Sequence, residues 1–157
     1  MLIGAIVVST FAVIWIAAGT RNLGRRWFSC LLSISILISL GVIVAAGKIA
    51  PAHRATFNGK GYGLSVAFET VLIFLAVFFL RSGDRKRFLL PIISIIVGLH
   101  FFGLVWALGS NEYWFVGSAM CLWSILTMSI LPRNLWDSVV GLGCAVILWF
   151  SVICAFF

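Results

Sequence analysis

Glu69 and His100 are the only carboxylate and imidazole set deep within long apolar runs of this 157-residue chain. In hydrocarbon an ionisable group is costly, so such groups pair with one another, face the protein interior and mark sites or pathways. Two chemistries fit a carboxylate and an imidazole placed in this way. Coupled titration lets the pair store or relay a proton. Alternatively, protonated His100, with Arg54 and Lys60 above it, would receive an anionic head group or solute, and Tyr62 and Tyr113 would supply hydroxyls near the same mouth. The two tyrosines also fit an interfacial aromatic belt. Ser65 stands four residues before Glu69, on the same helical face, and extends its polar stripe.

Other reactive constellations are poorly supplied. His53 and His100 are the only histidines, and neither belongs to a helical His-x-x-x-His pair, so no metal and no cofactor is expected. Asp84 and Asp137 fall in connections remote from His100 along the chain, which leaves no readable Ser, His and Asp arrangement. Cys30, Cys121, Cys144 and Cys154 form no Cys-x-x-Cys pair, and a role as small packing hydrophobes is expected.

The elements that must position Glu69 and His100 are membrane helices. Apolar residues make up 63% of the chain and charged residues 10%, and the mean hydropathy is +1.21, so the solvent of this surface is lipid. Six apolar runs stand out: 2–18, 28–47, 61–80, 88–108, 113–131 and 138–157. Each approaches the roughly 20 residues that cross a bilayer as a helix. The expected fold is an all-α, six-helix transmembrane bundle forming one domain over residues 1–157. The first run is expected to stay as a span, since Arg21, Arg25 and Arg26 follow it, the reverse of a secretory signal's charge order.

Arginine and lysine set the orientation. The first, third and fifth connections hold Arg21, Arg25, Arg26, Arg81, Arg85, Lys86, Arg87 and Arg133, whereas the second and fourth hold Lys48, Arg54 and Lys60. The positive-inside rule then puts both termini outside. Glu69 lies eight residues into the third run, about 12 Å along a helix axis, and His100 lies nine residues before Gly109, about 13 Å. Antiparallel neighbours joined by a short turn would bring the two to one depth. Gly103 and Ala107, at i+3 and i+7 from His100, form a small face that permits close helix approach.

Trp15, Trp27, Trp106, Trp114, Trp123, Trp136 and Trp149 are expected as interfacial anchors, and the serine pairs Ser29/Ser33 and Ser35/Ser39 as back-bonding or helix-facing groups. The net charge of +7 resides in short basic clusters between apolar runs, which suit anionic lipid and not nucleic acid. The stretch Val97-Gly98-Leu99-His100-Phe101-Phe102, followed by Leu104, Tyr113 and Gly117, resembles a family of small uncharacterised bacterial membrane proteins with a Gly-x-His-Phe motif. Gly103 stands where that family often carries proline. The resemblance implies an all-helical fold in a bacterial inner membrane and draws attention to His100. The expected function is a channel- or transporter-like protein for a proton, ion or small solute, acting as a homo-oligomer or with a membrane protein partner. A non-catalytic membrane partner or assembly factor is the alternative, and a lipid-modifying enzyme ranks third.

Overall fold

The structure, a computed structural model, describes residues 2–49 and 58–154. His53 and Arg54, the two loop residues expected near the mouth, lie outside the described residues. Helices α1 (Leu2–Thr20), α2 (Arg25–Ile49), α3 (Gly59–Leu80), α4 (Leu89–Leu108), α5 (Glu112–Ile130) and α6 (Trp136–Cys154) account for nearly all of them, with one 3₁₀ segment at Gly83–Phe88. Five stretches, Arg25–Lys48, Gly59–Leu80, Gly83–Leu108, Glu112–Ile130 and Trp136–Cys154, are long and apolar enough to cross a membrane, and Gly4–Thr20 is a shorter apolar helix. The chain is a multi-pass membrane protein by this measure. Its outward face agrees: Leu64, Phe68, Phe74, Phe78 and Phe79 of α3 are all more than half exposed. A soluble protein does not present so continuous an apolar surface to water.

Local chemistry sets the helix ends. Asn58 caps α3 by accepting from the Gly61 amide at 3.2 Å, and its own N–H donates to the Ala107 carbonyl at 2.9 Å, tying the start of α3 to the end of α4. Gly109 closes α4 in the left-handed region at φ 65°, which an L side chain adopts only at a cost. Pro91 sits in the first turn of α4, where its missing N–H has no intrahelical partner to lose.

The helices form two units, residues 1–53 with 137–157, and residues 54–136. In the first, α1, α2 and α6 meet through small residues and hydroxyls. Trp149 donates from Nε1 to Ser39 Oγ at 3.1 Å, and Ser39 donates to the Ser9 carbonyl at 3.2 Å, so one hydroxyl links all three helices. Ala5, Ala46 and Val152 pack beside this link. Towards the other end of α1, Ser138 donates to the Gly19 carbonyl at 3.1 Å and Asn22 donates to Asp137 at 3.3 Å.

At Gly19 and Gly141 the backbones of α1 and α6 come into direct contact. A Cβ on Gly141 would stand 2.6 Å from both Gly19 Cα and the Trp15 carbonyl, and backbone atoms cannot swing aside. Gly141→Ala is therefore expected to lower unfolding free energy in detergent by about 1–3 kcal/mol. Gly41→Ala, on α2 with nothing within 4 Å of its Cβ position, should be neutral or gain up to about 1 kcal/mol from helix propensity. Equal stability changes for the two substitutions would contradict this packing.

Two expectations are corrected. Trp15 and Trp136 are only 5% exposed, so they are packing residues, and Trp149 is a hydrogen-bond donor to Ser39. The Trp136 indole also donates to the Leu131 carbonyl at 2.9 Å and stacks edge-on against Phe88, fixing the end of α5 and not anchoring to head groups. Of the cysteines, all free, Cys144 is fully buried and Cys121 partly so, whereas Cys30 and Cys154 are exposed and fill no core. The apolar environment of both faces of a membrane helix explains the error, because hydropathy does not distinguish lipid from protein interior.

Candidate functional site

In the second unit α3 carries Tyr62, Ser65 and Glu69 at i, i+3 and i+7, one continuous stripe of a helix. Ala76, a further seven residues on, is buried on the same stripe. Opposite it α4 presents His100 and Gly103. A Cβ on Gly103 would overlap Ser65 Oγ and come within 3.0 Å of Ser65 Cβ, so the bare glycine is what admits the serine. Trp106 covers Gly61 in the same way one turn nearer the helix ends, where an added Cβ would meet the indole at 2.8 Å. The fit along α3 and α4 thus comes from small residues, the usual means of close approach where no hydrophobic force drives helices together.

This fit brings two polar side chains onto one nitrogen of His100. Glu69 Oε2 lies 3.4 Å from His100 Nδ1, and Ser65 Oγ lies 3.0 Å from the same atom and 3.3 Å from the His100 carbonyl. The side chains of His100 and Glu69 are 11% and 17% exposed, mostly withdrawn from the surroundings but not sealed. One proton arrangement accommodates every distance. With hydrogen on Nδ1, the ring donates to Ser65 Oγ, the Ser65 hydroxyl donates to the His100 carbonyl, and the Glu69 carboxylate faces the same N–H as a second, longer acceptor. Moving that proton to Glu69 converts an imidazolium and carboxylate into a neutral imidazole and carboxylic acid without changing the net charge of the pair.

Phe101, the next residue, is buried and places its ring edge-on to the His100 ring at 6.1 Å. On its other side Tyr113 stacks upon it at 5.9 Å. Tyr113 thus belongs to the aromatic packing beside His100. Lys60 lies exposed in the first turn of α3, and Tyr62 is 41% exposed at the N-terminal end of the stripe. Among the described residues no three His, Cys, Asp or Glu side chains come together as a metal-holding group.

Deeper polar contacts between α4 and α5 escaped the sequence reading. Ser124 donates to Ser94 at 2.7 Å with both residues fully buried, and Cys121 reaches the Ile95 carbonyl at 3.6 Å. Gly98 and Gly117 let the backbones meet there, since a Cβ on Gly117 would fall 2.6 Å from the Gly98 carbonyl. Gly98 belongs to the Gly-x-His-Phe stretch, so α5 contact accounts for its glycine. The spacing of Ser94 four residues before Gly98 was the available signal. The chain matches no protein-family model, no curated protein and no solved structure.

Proposed function

We propose that this chain is a channel- or transporter-like protein, crossing the membrane six times with both termini outside, and that Glu69, His100 and Ser65 form the polar centre through which a proton, an ion or a small solute passes. The observation that carries the reading is the convergence of Glu69 Oε2 and Ser65 Oγ on His100 Nδ1, at 3.4 and 3.0 Å, within two long, predominantly apolar helices. Ionisable groups at such positions are retained where charge must move or be stored. Tyr62, near the capped start of α3 and on the stripe that carries Ser65 and Glu69, supplies the polar approach.

Purified protein reconstituted in liposomes should dissipate an imposed pH gradient, or carry a monovalent ion or small solute, faster than empty vesicles. Glu69→Gln keeps the shape of the side chain and removes its charge, and should return the rate to the vesicle leak. Wild-type protein showing no flux of protons, ions or small solutes would favour the second reading, a membrane partner or assembly factor. The specific support for that reading is the Ser65 bond to the His100 carbonyl at 3.3 Å, which holds α3 against α4 whatever passes beside it.

The orientation has its own test. In a background with the exposed Cys30 and Cys154 replaced by serine, Asn58→Cys is expected to react with an impermeant maleimide in intact cells, and Arg85→Cys only after permeabilisation. The opposite pattern would invert the orientation that the arginine distribution implies.

A further inference from the structure

The turn between α3 and α4 gathers Arg81, Arg85, Lys86 and Arg87 into seven residues with a single acid, Asp84. All five side chains are exposed. Arg87 approaches Asp84 at 3.8 Å with side chains 56% and 95% exposed, a pair too solvated to neutralise much of the patch. Arg81, Arg85 and Lys86 have no acidic partner among the described residues.

An apolar wall adjoins these cations. Phe78 and Phe79, in the last turn of α3, are 58% and 60% exposed with their rings edge-to-face at 5.3 Å, and the Arg81 guanidinium stands 5.9 Å over the Phe78 ring. The guanidinium is thereby held at the boundary between the aromatic surface and the basic turn. Behind them Phe74, a turn further into the helix, is 69% exposed. A soluble anion would use the cations alone and leave the aromatic wall idle. An amphiphile with a phosphate head would use both.

We infer that the Arg81–Phe88 turn binds an anionic phospholipid, with the head-group phosphate on Arg85 and Lys86 and the acyl chains along Phe78 and Phe79. The general attraction of basic residues to an anionic leaflet, about fivefold in affinity for each residue near the surface, supplies the charge contribution. The Arg81 guanidinium over the Phe78 ring joins the charge of this turn to the apolar surface beneath it.

Native mass spectrometry of the full chain in mild detergent, offered phosphatidylglycerol and phosphatidylcholine in equal amounts, tests this directly. Phosphatidylglycerol should be retained in preference, and a large excess of inorganic phosphate should leave it bound. The triple change Arg85→Gln, Lys86→Gln and Arg87→Gln should weaken retention by about a hundredfold, while Arg21→Gln, Arg25→Gln and Arg26→Gln together leave most of it. The single changes Arg85→Gln and Lys86→Gln, each expected to cost about fivefold, decide the matter if the triple variant does not fold. Equal loss from both triples, equal retention of the two lipids, or displacement by inorganic phosphate would overturn the assignment.

Discussion

Glu69→Met and His100→Leu are each expected to lower the unfolding free energy in detergent by about 2–3 kcal/mol, and the double variant to recover most of that loss. The reasoning starts from the two groups' mutual dependence. With His100 gone, the Glu69 carboxylate loses the N–H that faces it at 3.4 Å in a site only 17% exposed. With Glu69 gone, the imidazole keeps Ser65 but loses its charged partner. Replacing both by apolar side chains of similar volume leaves no orphaned charge. Ser65 is not stranded in the double variant, because its hydroxyl still donates to the His100 backbone carbonyl. Equilibrium unfolding of the four proteins measures the coupling. Strictly additive losses would mean that the residues do not interact.

Gly103→Ala should produce the second large effect. The new methyl group would occupy the space of Ser65 Oγ, and Ser65 Cβ stands 3.0 Å away, so the hydroxyl must turn out of its place and α3 must ease away from α4 by a few tenths of an ångström. Overpacking of this kind costs about 1–3 kcal/mol. It would also separate Ser65 and Glu69 from His100, so transport activity should fall along with stability. Adding Ser65→Gly removes the obstructing atoms, and the Ser65→Gly, Gly103→Ala double variant should regain stability relative to Gly103→Ala alone. Activity should not return with it, because the hydroxyl bound to Nδ1 is missing. If Ser65→Gly fails to restore stability, the helices do not meet at Gly103 as described.

Helix positions were legible in the sequence because lipid demands long apolar segments with every backbone group bonded internally. The boundaries of α2 differ most: the helix starts at Arg25 where the apolar run starts at Phe28, since arginines form helix as readily as leucines and Gly24, at φ 87°, sets the stop. The Glu69 and His100 locus was legible for a related reason. Charge in an apolar run is conspicuous, and equal distances from the helix ends fix equal depth. Partners on single atoms were not legible. Ser39 and Ser35 look alike on α2, yet Ser39 bridges three helices while Ser35 bonds back to the Leu32 carbonyl at 2.7 Å, and only the neighbouring helix decides which. Ser94 and Ser124 were overlooked for the same cause: a buried hydroxyl pair needs both helices in place before either residue is distinctive.

Trp15, Trp136 and Trp149 show where composition misleads. Tryptophan near a span end is read as an interfacial anchor because its ring is amphipathic. The same N–H can instead be satisfied by protein, as Leu131 and Ser39 satisfy two of these three. Glycine was the more informative residue. Gly103 was expected on a small face, and it is the absence of its side chain that lets Ser65 reach His100.

The central claim, that Ser65 and Glu69 meet His100 at one nitrogen to form a single polar site, is tested most directly by nitrogen-15 NMR of the His100 ring in liposomes, in a His53→Gln background that leaves a single histidine. The imidazole nitrogens should show Nδ1 engaged in hydrogen bonds, and Glu69→Gln and Ser65→Gly should each shift the Nδ1 resonance. A His100 spectrum unchanged by both substitutions would contradict the account.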